Sequence, residues 1–117
     1  MNAPPAAATV FLVLGATDMR KAINGLSVMV ADVLDLDPLG GAYFVFCNRS
    51  RSIIKVLQWD RNGFCLWQKR LERERFRWPQ SREQVLGISG RELAWLLEGL
   101  DLQQVRGHRE SRFEAVV

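Results

Sequence analysis

Ile53 to Pro79 reads IIKVLQWDRNGFCLWQKRLERERFRWP, and the fold turns on how this stretch is parsed. Two runs of β-branched, aliphatic and aromatic residues flank Asp60-Arg61-Asn62-Gly63. Asn-Gly between apolar runs is the strongest local hairpin signal, because a two-residue turn needs backbone that tolerates positive φ. The spacing predicts strands over Ile53–Trp59 and Phe64–Leu71. The second strand leads into Lys69, Arg70, Arg73, Arg75 and Arg77 and stops at Trp78-Pro79. Three of the chain's four tryptophans, Trp59, Trp67 and Trp78, lie in the same stretch.

Toward the N-terminus, Tyr43–Cys47 reads as another strand, joined to the hairpin by Asn48-Arg49-Ser50-Arg51-Ser52, which makes a three-stranded antiparallel meander. In Ile53–Trp59 both the odd and the even positions include apolar residues. That pattern fits either a central strand covered on both faces or an apolar face kept for a partner. Thr9–Leu14 is a short apolar strand closed by Gly15. Thr17 or Asp18 is placed to cap a helix starting near Met19. On that helix Met19, Ala22, Ile23, Leu26, Met29, Val30, Val33 and Leu34 share one face, and Pro38 with Gly40-Gly41 ends it. Gly25, a poor helix residue, marks a kink or a close contact.

Toward the C-terminus, Gln84–Ile88 predicts a short edge strand. Ser89 and Glu92 then have the spacing of a capping box, opening a helix that runs to Glu98 and stops at Gly99. Leu93, Leu96, Leu97 and Leu100 form its apolar stripe. Trp95 falls nearly opposite, either covered by another part of the fold or serving as a protein–protein anchor. The sum is an α+β domain over residues 9–102: an antiparallel sheet of about four to five strands with two packed helices. A disordered lead-in over 1–8 and a polar basic tail over 103–117 flank it.

At 117 residues the chain has the size of one domain with a real core. No apolar run reaches the roughly 20 residues of a membrane helix, and the first residues lack the pattern of a signal peptide. Cys47 and Cys65 have no metal-ligand or redox spacing, so a reduced cytoplasmic protein without cofactor or metal is expected. The lone histidine, His108, sits in the tail, and no phosphate-loop or dinucleotide motif occurs. Asp18, Asp32, Asp35, Asp60, Glu72 and Glu74 are placed for caps, turns and solvent, not for a convergent metal site. The sequence thus gives no constellation for an enzyme.

Charge is unevenly distributed. Residues 49–82 carry ten basic side chains against three acidic ones, a local +7, whereas the whole chain is only +3. A clustered basic face is the footprint of a phosphate-binding surface, and cross-strand ion pairs on a solvated hairpin are the competing account. If Lys69–Trp78 is extended, Arg73, Arg75 and Arg77 point to one side about 6.7 Å apart, with Phe76 and Trp78 on the other. If it is a helical turn, the same residues make local ion pairs. Trp78-Pro79 favours the extended form. The candidate DNA-binding set is Arg49, Arg51, Lys55, Lys69, Arg70, Arg73, Arg75 and Arg77, and Trp95 is the candidate partner contact.

Several motifs stand in order along the chain: Thr17-Asp18-Met19-Arg20-Lys21 with Gly25-Leu26, Phe44-Val45-Phe46, and Ile54-Lys55-Val56-Leu57-Gln58-Trp59-Asp60. Gly63-Phe64-Cys65-Leu66-Trp67, Lys69-Arg70-Leu71-Glu72-Arg73, Phe76-Arg77-Trp78-Pro79 and Leu96-Leu97-Glu98-Gly99-Leu100-Asp101 continue them. Together they resemble the small TnpB-type accessory protein of the bacterial insertion-sequence "sixty-six" family. Ile23-Asn24 and Ser52 depart from the pattern. The resemblance implies a factor needed for transposition beside a separate, larger transposase that carries the catalytic acids; the basic residues add the expectation that it holds the phosphate backbone of element-end DNA. The alternative it leaves is an adaptor that docks on the transposase without touching DNA. An exposed sheet face would also suit a homo-oligomer.

Overall fold

The computed structural model describes residues 4–105. Five strands form one sheet: β1 (Thr9–Ala16), β2 (Tyr43–Cys47), β3 (Ile53–Asp60), β4 (Gly63–Arg70) and β5 (Val85–Ser89). Their spatial order is β4-β3-β2-β1-β5. The meander β2-β3-β4 is antiparallel as expected, with Asp60 opposite Gly63 at its tip. The turn differs in detail: positive φ falls on Arg61 (53°) and on neither Asn62 nor Gly63. β5 runs antiparallel to β1, Val10 facing Ile88. β1 and β2, however, are parallel, Val10 facing Tyr43, so the sheet is mixed though mostly antiparallel.

The parallel pair requires a crossover, and the segment between the two strands supplies it. Its helix is shorter than its periodicity suggests: α1 spans Ile23–Val28 and widens into a π-helical stretch, Met29–Val33. A helix beginning at Met19 would direct the Met19 and Lys21 carbonyls along its axis. Both instead accept hydrogen bonds from the Lys55 ammonium, at 2.8 and 2.9 Å. Asp18 caps no helix; its Oδ1 accepts from the Arg20 backbone N–H at 2.9 Å, and its carboxylate grips the Arg20 guanidinium. Thr17 is buried and makes no cap either.

The second helix, α2 (Gly90–Leu97), follows the sequence closely. Ser89 Oγ accepts from the Glu92 N–H while the Glu92 carboxylate accepts from the Ser89 N–H, which completes the capping box. Gly99, at φ 93°, lets Gly99 N and Leu100 N return to the Leu96 and Trp95 carbonyls, the Schellman ending. Residues 4–8 make contacts with the second helix. Pro4 is buried and the Arg91 N–H reaches the Ala6 carbonyl, so this segment lies across the start of α2.

Both faces of the sheet are covered, which is why β3 is apolar at odd and even positions alike. On one side Val10, Leu12, Val45, Ile54 and Val56 pack against Leu93 and Leu96 of α2, together with Phe76, Trp78 and Leu102. On the other, Val13, Phe44, Phe46 and Leu57 pack against Leu26 and Val30 of the crossover. Each fully buried Phe or Leu contributes roughly 1.5–3 kcal/mol relative to exposure. No helix among the described residues is long and apolar enough to cross a membrane.

Candidate nucleic-acid interface

The turn between β2 and β3 is built around Asn48. Its Oδ1 accepts from the Ser52 and Ile53 N–H groups at 2.9 and 3.0 Å, and its Nδ2 donates to the hydroxyls of Ser50 and Ser52 at 3.1 Å each. Arg51 adopts the left-handed conformation, φ 61°. That conformation is uncommon outside glycine and persists only where its surroundings hold it.

The surroundings here are the chain leaving β4. Leu71 N–H donates to the Ser52 carbonyl and Phe76 N–H to the Arg51 carbonyl, both at 2.8 Å. Arg75 Nη1 donates to the Ser50 carbonyl at 2.7 Å. The segment after Arg70 is therefore not helical: it bends at Glu72 and Arg73, and both of its ends, Leu71 and Phe76, return to the 48–52 turn. Phe76 and Trp78 are turned into the core, 3% and 7% exposed, while Arg73, Arg75 and Arg77 remain exposed. Trp78 Nε1 bonds the Leu14 carbonyl, and the Arg51 guanidinium lies 5.9 Å from the Trp78 ring centre.

Arg73, Glu74, Arg75, Phe76, Arg77 and Gly99 line an open cleft of about 570 Å³. Among the described residues the ion pairs are Asp18–Arg20, Asp60–Arg61 and Glu72–Arg70. Arg49, Arg73, Arg75 and Arg77 take part in none of them. Among the described residues no carboxylate lies within ion-pair distance of these four, although Glu74 shares the cleft and Arg75 is engaged by the Ser50 carbonyl.

The remaining members of the candidate set are placed differently. Arg70 is exposed but paired with Glu72 at 3.0 Å. Lys69 donates to the Leu97 carbonyl at 3.3 Å, where a cation complements the C-terminal end of α2. Lys55 is buried on the α1 face, 8% exposed, with its ammonium committed to two carbonyls. Trp95 is partly buried against the α2-side core. Trp67 packs on that core too, and Trp59 meets Phe64 edge to face at 5.0 Å, toward the α1 side. Asn48, Ser50 and Gly99 organise the site without having been picked out from the sequence as more than turn and stop residues. The Asn48-Ser50-Ser52 spacing was the available signal.

Burial pushes the Cys47 thiol above its ordinary pKa, with Arg51 opposing the shift. Asp18 moves the other way, down to about 2, held by hydrogen bonds from Arg20.

Residues 8–107 match the family model described as IS66 Orf2 like protein. The chain belongs to the IS66 Orf2-like family. It is 45% identical over 92 residues to the uncharacterized protein y4hO of Sinorhizobium fredii, covering 79% of this chain and 80% of that one. It is 34% identical over 89 residues to the uncharacterized protein y4jC of the same organism, covering 76% of each. No solved structure matches the chain. Membership in the IS66 Orf2-like family carries a transposition-associated accessory role.

Proposed function

We propose that the chain is a non-catalytic accessory factor in DNA transposition that holds the DNA phosphate backbone while a separate transposase subunit carries the chemistry. One observation supports this reading above the others. Arg73, Arg75 and Arg77 are exposed on a segment hydrogen-bonded to the turn bearing Arg49, and among the described residues none of the four takes part in an ion pair. Guanidinium groups suit phosphate because their planar fork can donate two parallel hydrogen bonds. Arg51 supports the site through Trp78, and Arg70 joins it only by giving up Glu72.

Four exposed guanidiniums, of which Arg75 spends one N–H on the Ser50 carbonyl, set a number. Neutralising four phosphates on a duplex gives a slope of log K against log salt of about −3 to −4. Fluorescence anisotropy of element-end duplex across a salt series measures it. No binding, or affinity flat with salt, sinks the proposal. The rival reading, an adaptor that docks without touching DNA, is separated by co-purification with the transposase. A parent chain that binds no DNA, with a Trp95→Ala variant that loses the transposase, would favour the adaptor.

A further inference from the structure

Resting on the DNA-binding reading above, we infer that the arginine cleft takes the phosphate ridge of duplex DNA, reads no bases, and gains nothing from single strands. Two independent features carry this, the placement of the rings and the shape of the site. Proteins that prefer single strands stack bases on exposed aromatic faces, each stacked base strengthening binding roughly 5- to 150-fold. Here the rings next to the arginines are closed off. Phe76 and Trp78 are in the core, and Trp78 is further engaged by the Leu14 carbonyl at its edge and Arg51 by its ring. Trp59 is engaged with Phe64 toward the opposite sheet face.

The arginines also line a concavity, with side-chain-free Gly99 on its wall. Base edges lie at the bottom of grooves about 7.5–8.5 Å deep, and proteins read them by inserting a protruding helix, ribbon or arm. The 71–76 segment is a short closed loop and not a protruding helix, ribbon or arm: Leu71, Arg75 and Phe76 tie both of its ends to the 48–52 turn. A concave, cationic surface receives a convex, anionic ridge, and on a duplex that ridge is the sugar-phosphate backbone. Glu74 shares the wall, so the cleft holds three positive charges against one negative.

The experiment uses the full chain and three labelled probes of equal length: element-end duplex, a scrambled duplex of the same composition, and oligo(dT). Anisotropy is followed between about 50 and 200 mM salt. Expected are duplex affinities within about tenfold of each other, against the far larger ratios of sequence-specific complexes. Oligo(dT) should bind no more tightly than either, and tryptophan emission should stay unchanged on its addition. The Arg73→Gln/Arg77→Gln variant should lower the salt slope by roughly 2 on both duplexes alike. A preference for the element end above about tenfold, tighter binding of oligo(dT), or tryptophan quenching overturns the inference while leaving DNA binding in place. Failure to bind any probe removes the DNA-binding reading and this one with it.

Discussion

The indole N–H of Trp78 donates to the carbonyl of Leu14 at 3.2 Å, joining positions 64 residues apart. This bond anchors the end of the arginine run to β1. Replacing Trp78 by Phe keeps most of the apolar volume but removes the donor beside a buried acceptor. The expected cost is about 1–3 kcal/mol, read as a lower urea midpoint. Trp78→Ala adds a cavity and should cost about 3–5 kcal/mol. Equal stabilities of Trp78→Phe and the parent would show the bond to be dispensable.

Lys55 separates structure from DNA contact. Its ammonium satisfies the Met19 and Lys21 carbonyls from inside the fold. Lys55→Met preserves the apolar stem and loses both charge-assisted bonds, so unfolding free energy should fall by about 2–4 kcal/mol. DNA affinity of the folded variant should match the parent within about twofold, unlike that of the arginine variants. A selective loss of DNA affinity at unchanged stability would return Lys55 to the binding surface.

Gly90 faces the backbone of Pro5, and an added Cβ would collide with the Pro5 carbonyl. Gly90→Ala should therefore destabilise by about 1–3 kcal/mol despite alanine's better helix propensity. Deleting the first five residues as well should rescue the alanine variant relative to the same deletion carrying Gly90. Gly25 gives the opposite sign: its added Cβ meets only the flexible Lys21 side chain at 3.4 Å. Gly25→Ala should stabilise α1 by about 0.5–1 kcal/mol. Thermal melts of these four variants and the parent test the set.

Asp18 titrates at about 2 instead of 3.8 because Arg20 donates hydrogen bonds to its carboxylate. A depressed folded pKa adds stability that is fully present above 3.8 and lost as pH falls through about 2. NMR titration of the Asp18 carboxyl should place its midpoint near 2, and Arg20→Gln should move it back toward 3.8. An ordinary midpoint in the parent would show that the pair does not persist in solution. Because both side chains are at the surface, the screened contribution to overall stability is small.

The hairpin, the capping box and the Gly99 stop are local in sequence, and local signals sufficed to place them. The alternation of exposed Arg75 and Arg77 with buried Phe76 and Trp78 was equally legible, because Trp78-Pro79 opposes a helix there. Four features were not legible. The parallel β1–β2 pairing depends on a crossover whose direction no local motif encodes. The late start of α1 depends on Lys55, more than 30 positions downstream, turning two carbonyls aside. Lys55 itself reads as a surface cation on an alternating strand, and only the fold shows that its face is covered. The packing of residues 4–8 against α2 is likewise a long-range contact that composition does not announce.

The strand order places β1 between β2 and β5, one neighbour made soon after it and the other near the end of the described chain. During synthesis the early strand must wait, one edge unsatisfied, until Val85–Ser89 clears the ribosome. A chain arrested before that point would present an open apolar edge to its surroundings, so this topology makes the nascent protein dependent on finishing.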